Sequence, residues 1–237
     1  MLSLVIPVYN EEKIVGGTIR AVRDYMENNF RDDYEAIFVN DGSDDGTLAI
    51  AEKLSGGSIK VISHEKNRGK GGAVKTGMLA ASGDFVFFTD CDLAYGLDVI
   101  KEGYEVFERL PETAVVIGSR KKHKDGYAGY TFARKLMSVV FLQILKVYGG
   151  IKQSESQSGM KGFKKEAAKK IFGLCEAEGW IFDFEALLIA QKLQYKIEEI
   201  PITIINHGES KINSMKDSLK MLRDISKIKK RVKNLCI

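Results

Sequence analysis

Asp90 and Asp92 stand one residue apart, directly after Asp84-Phe85-Val86-Phe87-Phe88, a short apolar run of β-forming residues. In an extended turn at the end of such a strand the two carboxylates point the same way. One can hold a hard divalent cation while the other orients a ribose or a water. Magnesium keeps several waters and is usually held by one or two carboxylates plus substrate phosphates, so a pair this sparse implies a phosphorylated ligand. An acidic surface turn has the same spelling. The triplet alone does not separate the two readings.

Three further stretches place reactive residue types in turns. Asn40-Asp41-Gly42-Ser43-Asp44-Asp45-Gly46-Thr47 is either a tight strand-to-helix connection capped by Ser43 or Asp44, or a place where Asp41 meets the base or ribose of a nucleotide. Gly69-Lys70-Gly71-Gly72 fits neither G-x-x-x-x-G-K-[ST] nor G-x-G-x-x-G. It offers instead a flexible loop whose backbone can approach a ligand, with Arg68 and Lys70 beside it. Gly118-Ser119-Arg120 runs into the basic cluster Lys121-Lys122-His123-Lys124. The guanidinium of Arg120 suits a phosphate, whose oxygens match its fork, whereas the lysines read as a solvated loop.

Strand ends must gather these turns. Leu2 to Val8 is an apolar β-like run closed by Pro7, and Asn10-Glu11-Glu12 caps a helical pattern through Ile14, Ile19, Val22 and Met26. Ala36–Val39 and Ile59–Ile62 read as strands two and three, each followed by a helical pattern. The strand before Asp90 is the fourth, and Ala114–Gly118 the fifth. Lys196 to Ile204 is a further strand, with Pro201 marking an edge or an end. Strands alternating with helices predict an α/β fold, a mostly parallel sheet covered by helices on both faces. Ligands bind such sheets at the carboxyl ends of the strands, and every turn named above falls at one.

Composition bounds the rest. The 237 residues, 44% hydrophobic and 29% charged, are ordinary for a globular protein of one large or two small domains. Cys91, Cys175 and Cys236 form no C-x-x-C pair, which argues for a reducing compartment and against a disulfide or zinc framework. Leu2–Ile6 runs into Pro7 without a basic segment before it, so no signal peptide is expected. No apolar stretch reaches the roughly 18 residues of a spanning helix. The net charge of +4 is uneven: from Lys211 on, nine Lys or Arg face two Asp, a balance of +7 that leaves the first 210 residues at −3. A basic tail on an acidic body points to an anionic partner, membrane or nucleic acid. Nucleic acid is disfavoured, because no stacking-aromatic motif accompanies the basic residues.

Pro7-Val8-Tyr9-Asn10-Glu11-Glu12, the 40–47 turn, Asn67-Arg68-Gly69-Lys70-Gly71-Gly72-Ala73 and Asp90-Cys91-Asp92 resemble, in order and spacing, the motifs of family 2 glycosyltransferases of the GT-A fold. The resemblance runs from Leu2 to about Asn213. It is strongest to the branch that moves a sugar from a nucleotide to a polyprenyl phosphate, the dolichyl-phosphate β-glucosyltransferases through the G-K-G-G-A loop, with dolichyl-phosphate mannose synthases near. It implies a GT-A domain over 1–213, with a nucleotide-binding half and an acceptor half. Donor contacts would come from Pro7, Tyr9, Glu11, Asp41, Lys70, Asp90 and Cys91, and Mg²⁺ or Mn²⁺ would sit on Asp90 and Asp92. Cys91 stands where alanine is usual, and Ala94 where the mannose synthases tend to have glutamine. Arg120 and a later arginine, Arg134, would bind the acceptor phosphate. Ser154–Phe163 is similar to the D-T-Q-C-G-F-K segment, with Glu155 where Asp is usual, which leaves open whether this longer carboxylate is a base or an orienting group. Asp183 and Glu185 either line the pocket or compensate a helix dipole. His207-Gly208-Glu209-Ser210-Lys211 resembles a G-x-S-K segment that closes over the donor diphosphate through Lys211.

Two stretches bear on membranes. Leu136–Tyr148 is mostly apolar and too short to span, either a core helix or one lying at an interface. Ile212, Met215, Leu219, Leu222, Ile225, Ile228, Val232 and Leu235 recur at helical steps among lysines and arginines, a basic amphipathic helix over 214–237. Its apolar face packs on an anionic membrane, on its own domain or on a second subunit. The expected function is an inverting, metal-dependent transfer of a hexose from a nucleoside diphosphate sugar, UDP-glucose first, to a polyprenyl phosphate, with Asp92, Glu155 and Arg120 at the reacting centre. The expected location is cytoplasmic, peripheral on the membrane face. The alternatives are a sugar-hydroxyl acceptor or a GDP-mannose donor, and a nucleotide-sugar-binding protein without turnover.

Overall fold

The computed structural model describes residues 1–31, 33–127, 132–206 and 214–236, without the side chains of 132–134 and 214–223. In chain order the elements are β1 (Leu2–Val8), α1 (Val15–Phe30), β2 (Tyr34–Asn40), α2 (Thr47–Leu54), β3 (Ile59–Ser63), α3 (Lys70–Ala80), β4 (Phe85–Phe88) and α4 (Asp98–Arg109). There follow β5 (Thr113–Ser119), a 3₁₀ turn (Arg120–Lys122), α5 (Phe132–Ile144) running into a π turn (Leu145–Gly149), and β6 (Lys161–Lys164). α6 (Lys165–Leu174), α7 (Phe182–Lys192), β7 (Lys196–Pro201) and α8 (Ser214–Lys233) complete the chain.

Burial on both faces explains why the strands read as continuous apolar runs. Along β1, Leu4, Ile6 and Val8 enter one core with α1, α2 and α4, while Val5 enters a second core with α3, α6 and α7. That alternation is the period of two expected of a pleated strand. The two cores sandwich one seven-stranded sheet in the order β3-β2-β1-β4-β6-β5-β7. β1 pairs in parallel with β2 and β4, β2 with β3, and β5 with β7. Chain order runs outward from β1 to β3 on one side and resumes with β4 on the other. The crevice for a ligand therefore opens between the carboxyl ends of β1 and β4, where Pro7–Glu11 and Asp90–Asp92 lie.

β6 is absent from the sequence expectation. It is four residues long with a lysine at each end, and no periodicity exists to detect. It runs antiparallel between β4 and β5, pairing Lys161 with Phe88 and with Ile117. Its direction brings its first residue, Lys161, to the rim where the parallel strands end. β7 stops at Pro201, three residues short of the expected strand end, because proline has no N–H for the ladder. α4 and α6 also went unread, although Val99, Ile100, Val106 and Phe107 bury the inner face of α4.

The two candidate membrane stretches part ways. On α8, Ile225, Ile228 and Val232 are buried in the core shared with α7, so that half of the helix packs on its own domain. On α5 and its π turn, Leu136 (52% exposed), Met137, Val140, Val147 (83%) and Tyr148 face outward. No described helix is long and apolar enough to cross a membrane.

Candidate active site

Side chains lace the turns at the crevice to one another. Asn10 N–H donates to Ser43 Oγ (3.0 Å), Asn10 Oδ1 accepts from Asp44 N–H (3.0 Å), and Glu11 N–H donates to Thr47 Oγ1 (2.7 Å). Asp41 is buried at the end of β2. Its carboxylate accepts from Arg68 N–H (2.9 Å) and Gly69 N–H (2.8 Å), and His64 Nδ1 lies 2.8 Å away. His64 Nε2 is 2.9 Å from Thr76 Oγ1, so one imidazole ties β2 to α3. In this arrangement Asp41 is first a brace for the glycine loop. A cleft of about 450 Å³ opens beside it, lined by His64, Glu65, Lys66, Asn67, Arg68 and Glu178. It flanks the crevice and does not cover Asp90.

The glycines of that loop serve another purpose than a ligand's close approach. A Cβ on Gly69 would stand 2.5 Å from the carbonyl oxygen of Glu178, and one on Gly71 2.4 Å from that of Ala177. They admit the backbone of 177–179, and Gly72 N–H donates to Glu178 O (3.2 Å). The loop is thereby pinned. Arg68 faces Glu178 (2.9 Å), and Lys70 Nζ sits 5.2 Å from the centre of the Trp180 ring.

Lys70 reaches the metal turn. Its ammonium is 2.5 Å from Asp90 Oδ1. Asp92 Oδ1 accepts from Ala94 N–H (3.1 Å), and Asn206 Nδ2 donates to the Asp92 carbonyl (3.3 Å). Burial and the like charge of Asp90 push the Asp92 carboxyl above its usual range. Gly159 lies against Asp90 so closely that a Cβ there would meet Oδ2 at 2.1 Å. Among the described residues no cluster of three or more His, Cys, Asp or Glu forms a metal cage. Two hard oxygen donors on one turn, repelling each other, fit a divalent cation whose remaining ligands come from water or a bound phosphate. Cys91, between them, buries its thiol in the core, and burial raises that thiol to about 12. Its Sγ faces Thr18 Oγ1 at 3.8 Å.

Behind this turn the charges alternate. Lys161, wholly buried, donates to Asp183 Oδ1 (2.7 Å) and to Ser158 O (2.8 Å), with Phe88 beneath its ammonium. Burial pushes Lys161 down and Asp183 up, both toward the neutral form. Next comes Glu155, whose Oε2 accepts from Arg120 Nε (2.8 Å) and whose Oε1 accepts from Ser156 and Gln157 N–H. Burial alone would raise this carboxyl, but the Arg120 guanidinium holds it below its usual range. Glu185 is different in kind. It accepts from Glu176 and Ala177 N–H and pairs with Arg231, fastening α8 to the 176–180 segment.

The structure thus brings together Glu11, Asp41, Lys70, Asp90 and Asp92 around one crevice, with the Arg120–Glu155 pair behind it. Pro7 is part of β1, and Tyr9 is exposed just beyond. Lys211 and the side chain of Arg134 lie outside the described residues. Sequence reasoning passed over His64 and Thr76, named Gly159 and Lys161 only as members of the 154–163 stretch, and gave Trp180 no role.

The architecture defines a class. Solved structures of glucosyl-3-phosphoglycerate synthase from Mycobacterium tuberculosis share this fold. One, in complex with Mn²⁺, UDP-glucose and phosphoglyceric acid, aligns at TM-score 0.71 and 18% identity, covering 98% of this chain and 80% of that one. Another, with Mn²⁺, UDP and glucosyl-3-phosphoglycerate, aligns at 0.67 and 20% identity over 98% and 80%. The fold is GT-A.

The family follows from sequence. The model of glycosyl transferase family 2 matches residues 3–172, and the chain belongs to that family of glycosyltransferases. Its relatives include the dolichyl-phosphate beta-glucosyltransferase of Dictyostelium discoideum, 31% identical over 243 residues, 96% of this chain and 73% of that protein. Those of Saccharomyces cerevisiae (31%; 94% and 72%) and Homo sapiens (32%; 94% and 73%) are similar.

Proposed function

We propose that this glycosyltransferase moves glucose from UDP-glucose to a polyprenyl (dolichyl) phosphate with inversion. The observation that carries the reading is the Asp90–Asp92 turn at the switch point of the sheet, with Arg120, just past β5, held by Glu155, in a chain whose relatives are named dolichyl-phosphate beta-glucosyltransferases. Asp90 and Asp92 would hold Mg²⁺ or Mn²⁺, which supplies charge neutralisation on the departing diphosphate. The pinned 67–72 loop and the Glu11 turn frame the donor, and Asp41 sets the shape of that loop. Lys211 would reach the diphosphate, and Arg134 the acceptor, beside Arg120. A GDP-mannose donor or a sugar-hydroxyl acceptor is the competing reading. Nucleotide release measured over a panel of UDP- and GDP-sugars, with and without a short polyprenyl phosphate, tests it. Acceptor-stimulated release from UDP-glucose alone is expected. Release from GDP-mannose in preference would overturn the donor assignment.

A phosphate acceptor is anionic near neutral pH and needs positioning more than a base. Glu155 fits that chemistry poorly as a base, since Arg120 and two backbone N–H groups stabilise its charged form. It holds Arg120 instead. Glu155→Gln should therefore lower kcat by less than the roughly 10²–10⁴-fold a general base contributes. A loss within that range, with the melting temperature unchanged, would restore Glu155 as the base.

The lipid must be met at a surface, and the exposed face of α5 suits it. Tyr127 lies 5.4 Å from Arg120 Cζ and 5.7 Å from Lys135 Nζ, so this face begins beside the acceptor arginine. Lys229 stands over Tyr148 at its far end, adding positive charge. Peripheral attachment to an anionic, cytoplasmic membrane face is then centred on α5, with α8 contributing charge. Leu136→Ser with Val140→Ser should reduce co-sedimentation with anionic vesicles and leave the melting temperature in place, because both side chains are half exposed. Unchanged sedimentation would reject this face.

A further inference from the structure

Lys70 occupies an unusual position for a lysine in a nucleotide crevice. Its ammonium touches a carboxylate assigned to the metal, Asp90 Oδ1 at 2.5 Å, and the charges of Asp183 and Asp92 also act on it. It is the first residue of α3, and that helix start is clamped by Glu178 O on Gly72 N–H. The clamping segment carries Trp180, whose ring lies 5.2 Å from the ammonium. The side chain is thus held from two sides with its charge on Asp90. A divalent ion arriving at Asp90 meets a cation already there.

We propose that Lys70 is a positioning residue that serves as the resident counter-cation of Asp90 and yields this carboxylate to the divalent ion. Two charges of the same sign compete for one oxygen, so the ion alone is held weakly. The donor diphosphate tips the balance, because it supplies oxygens to the ion and an anion to the released ammonium. Lys70 thereby makes metal binding depend on the donor and keeps Asp90 compensated in its absence. The inference rests on the metal reading above, and it concerns only what Lys70 does toward that ion.

The protein is titrated with Mn²⁺ in the absence of nucleotide, and bound ion is followed by electron paramagnetic resonance. Lys70→Gln should bind Mn²⁺ on the order of 5-fold or more tightly than the unmodified chain, the scale of losing one competing ion pair. Equal or weaker binding by the variant overturns the proposal. No Mn²⁺ binding by either protein, with or without UDP, overturns the metal reading itself. A second readout uses the unmodified chain, in which Trp180 is the only tryptophan. Saturating Mg²⁺ with UDP should shift its emission as the ammonium leaves Asp90, and the shift should vanish in Lys70→Gln. An emission insensitive to Mg²⁺ and UDP in a protein shown to bind both also overturns the proposal.

Discussion

Asp92→Asn is expected to abolish sugar transfer while the fold stands. Removing one charge from a pair that would hold the metal weakens the electrostatic stabilisation of the leaving diphosphate, an effect on the order of 10²-fold or more in rate. The cost to stability has the opposite direction. Burial and Asp90 already push the Asp92 carboxyl toward its neutral form in the metal-free protein, so a neutral amide relieves repulsion there. The melting temperature without metal should therefore hold or rise as activity disappears. Turnover near that of the unmodified enzyme in Mg²⁺ would remove Asp92 from the site.

The second large effect is on folding. Lys161 is wholly enclosed, and its partners are Asp183 Oδ1 and Ser158 O. Lys161→Met leaves the Asp183 carboxylate buried without its cation, and breaking a buried pair from one side costs about 3–5 kcal/mol. Urea unfolding should show that loss as a lower midpoint at an unchanged slope. Lys161→Met combined with Asp183→Leu should recover much of it, because an apolar pair of similar volume needs no compensation. A single variant as stable as the unmodified chain would mean the pair carries little weight in the folded state.

These two residues also mark what the sequence could and could not convey. The positions of Asp90 and Asp92 at a strand end were legible because strand and turn are contiguous, and the same holds for the positions of Asp41 and the β1 turn, although the bracing of the glycine loop by Asp41 was not. The parallel sheet was legible because strands buried on both faces are written as apolar runs. Lys161 and Gly159 were not. Their roles depend on β6 pairing between β4 and β5 and on Asp90 lying across a gap of 69 residues, and no local pattern encodes either. The glycine loop was recognised as a place of close approach, but the approaching group is the chain's own backbone at 177–179. His64 was invisible for a similar reason, since a lone histidine after β3 acquires meaning only from Asp41 and Thr76. In α8 the amphipathic pattern was plain, but a period of three and four cannot say what the apolar face meets. The burial of Ile225, Ile228 and Val232 assigns the described, C-terminal half of that face to the domain itself.

The central claim is a metal-dependent, inverting transfer of glucose to a lipid phosphate. The most direct measurement incubates the protein with UDP-glucose, Mn²⁺ and a polyprenyl phosphate, extracts the lipid, and determines the linkage and anomer of any sugar on it by nuclear magnetic resonance. The account predicts a single β-linked glucosyl phosphate that does not form when EDTA is present. An α-linked product, an unmodified lipid beside free glucose, or the same yield in EDTA would contradict it.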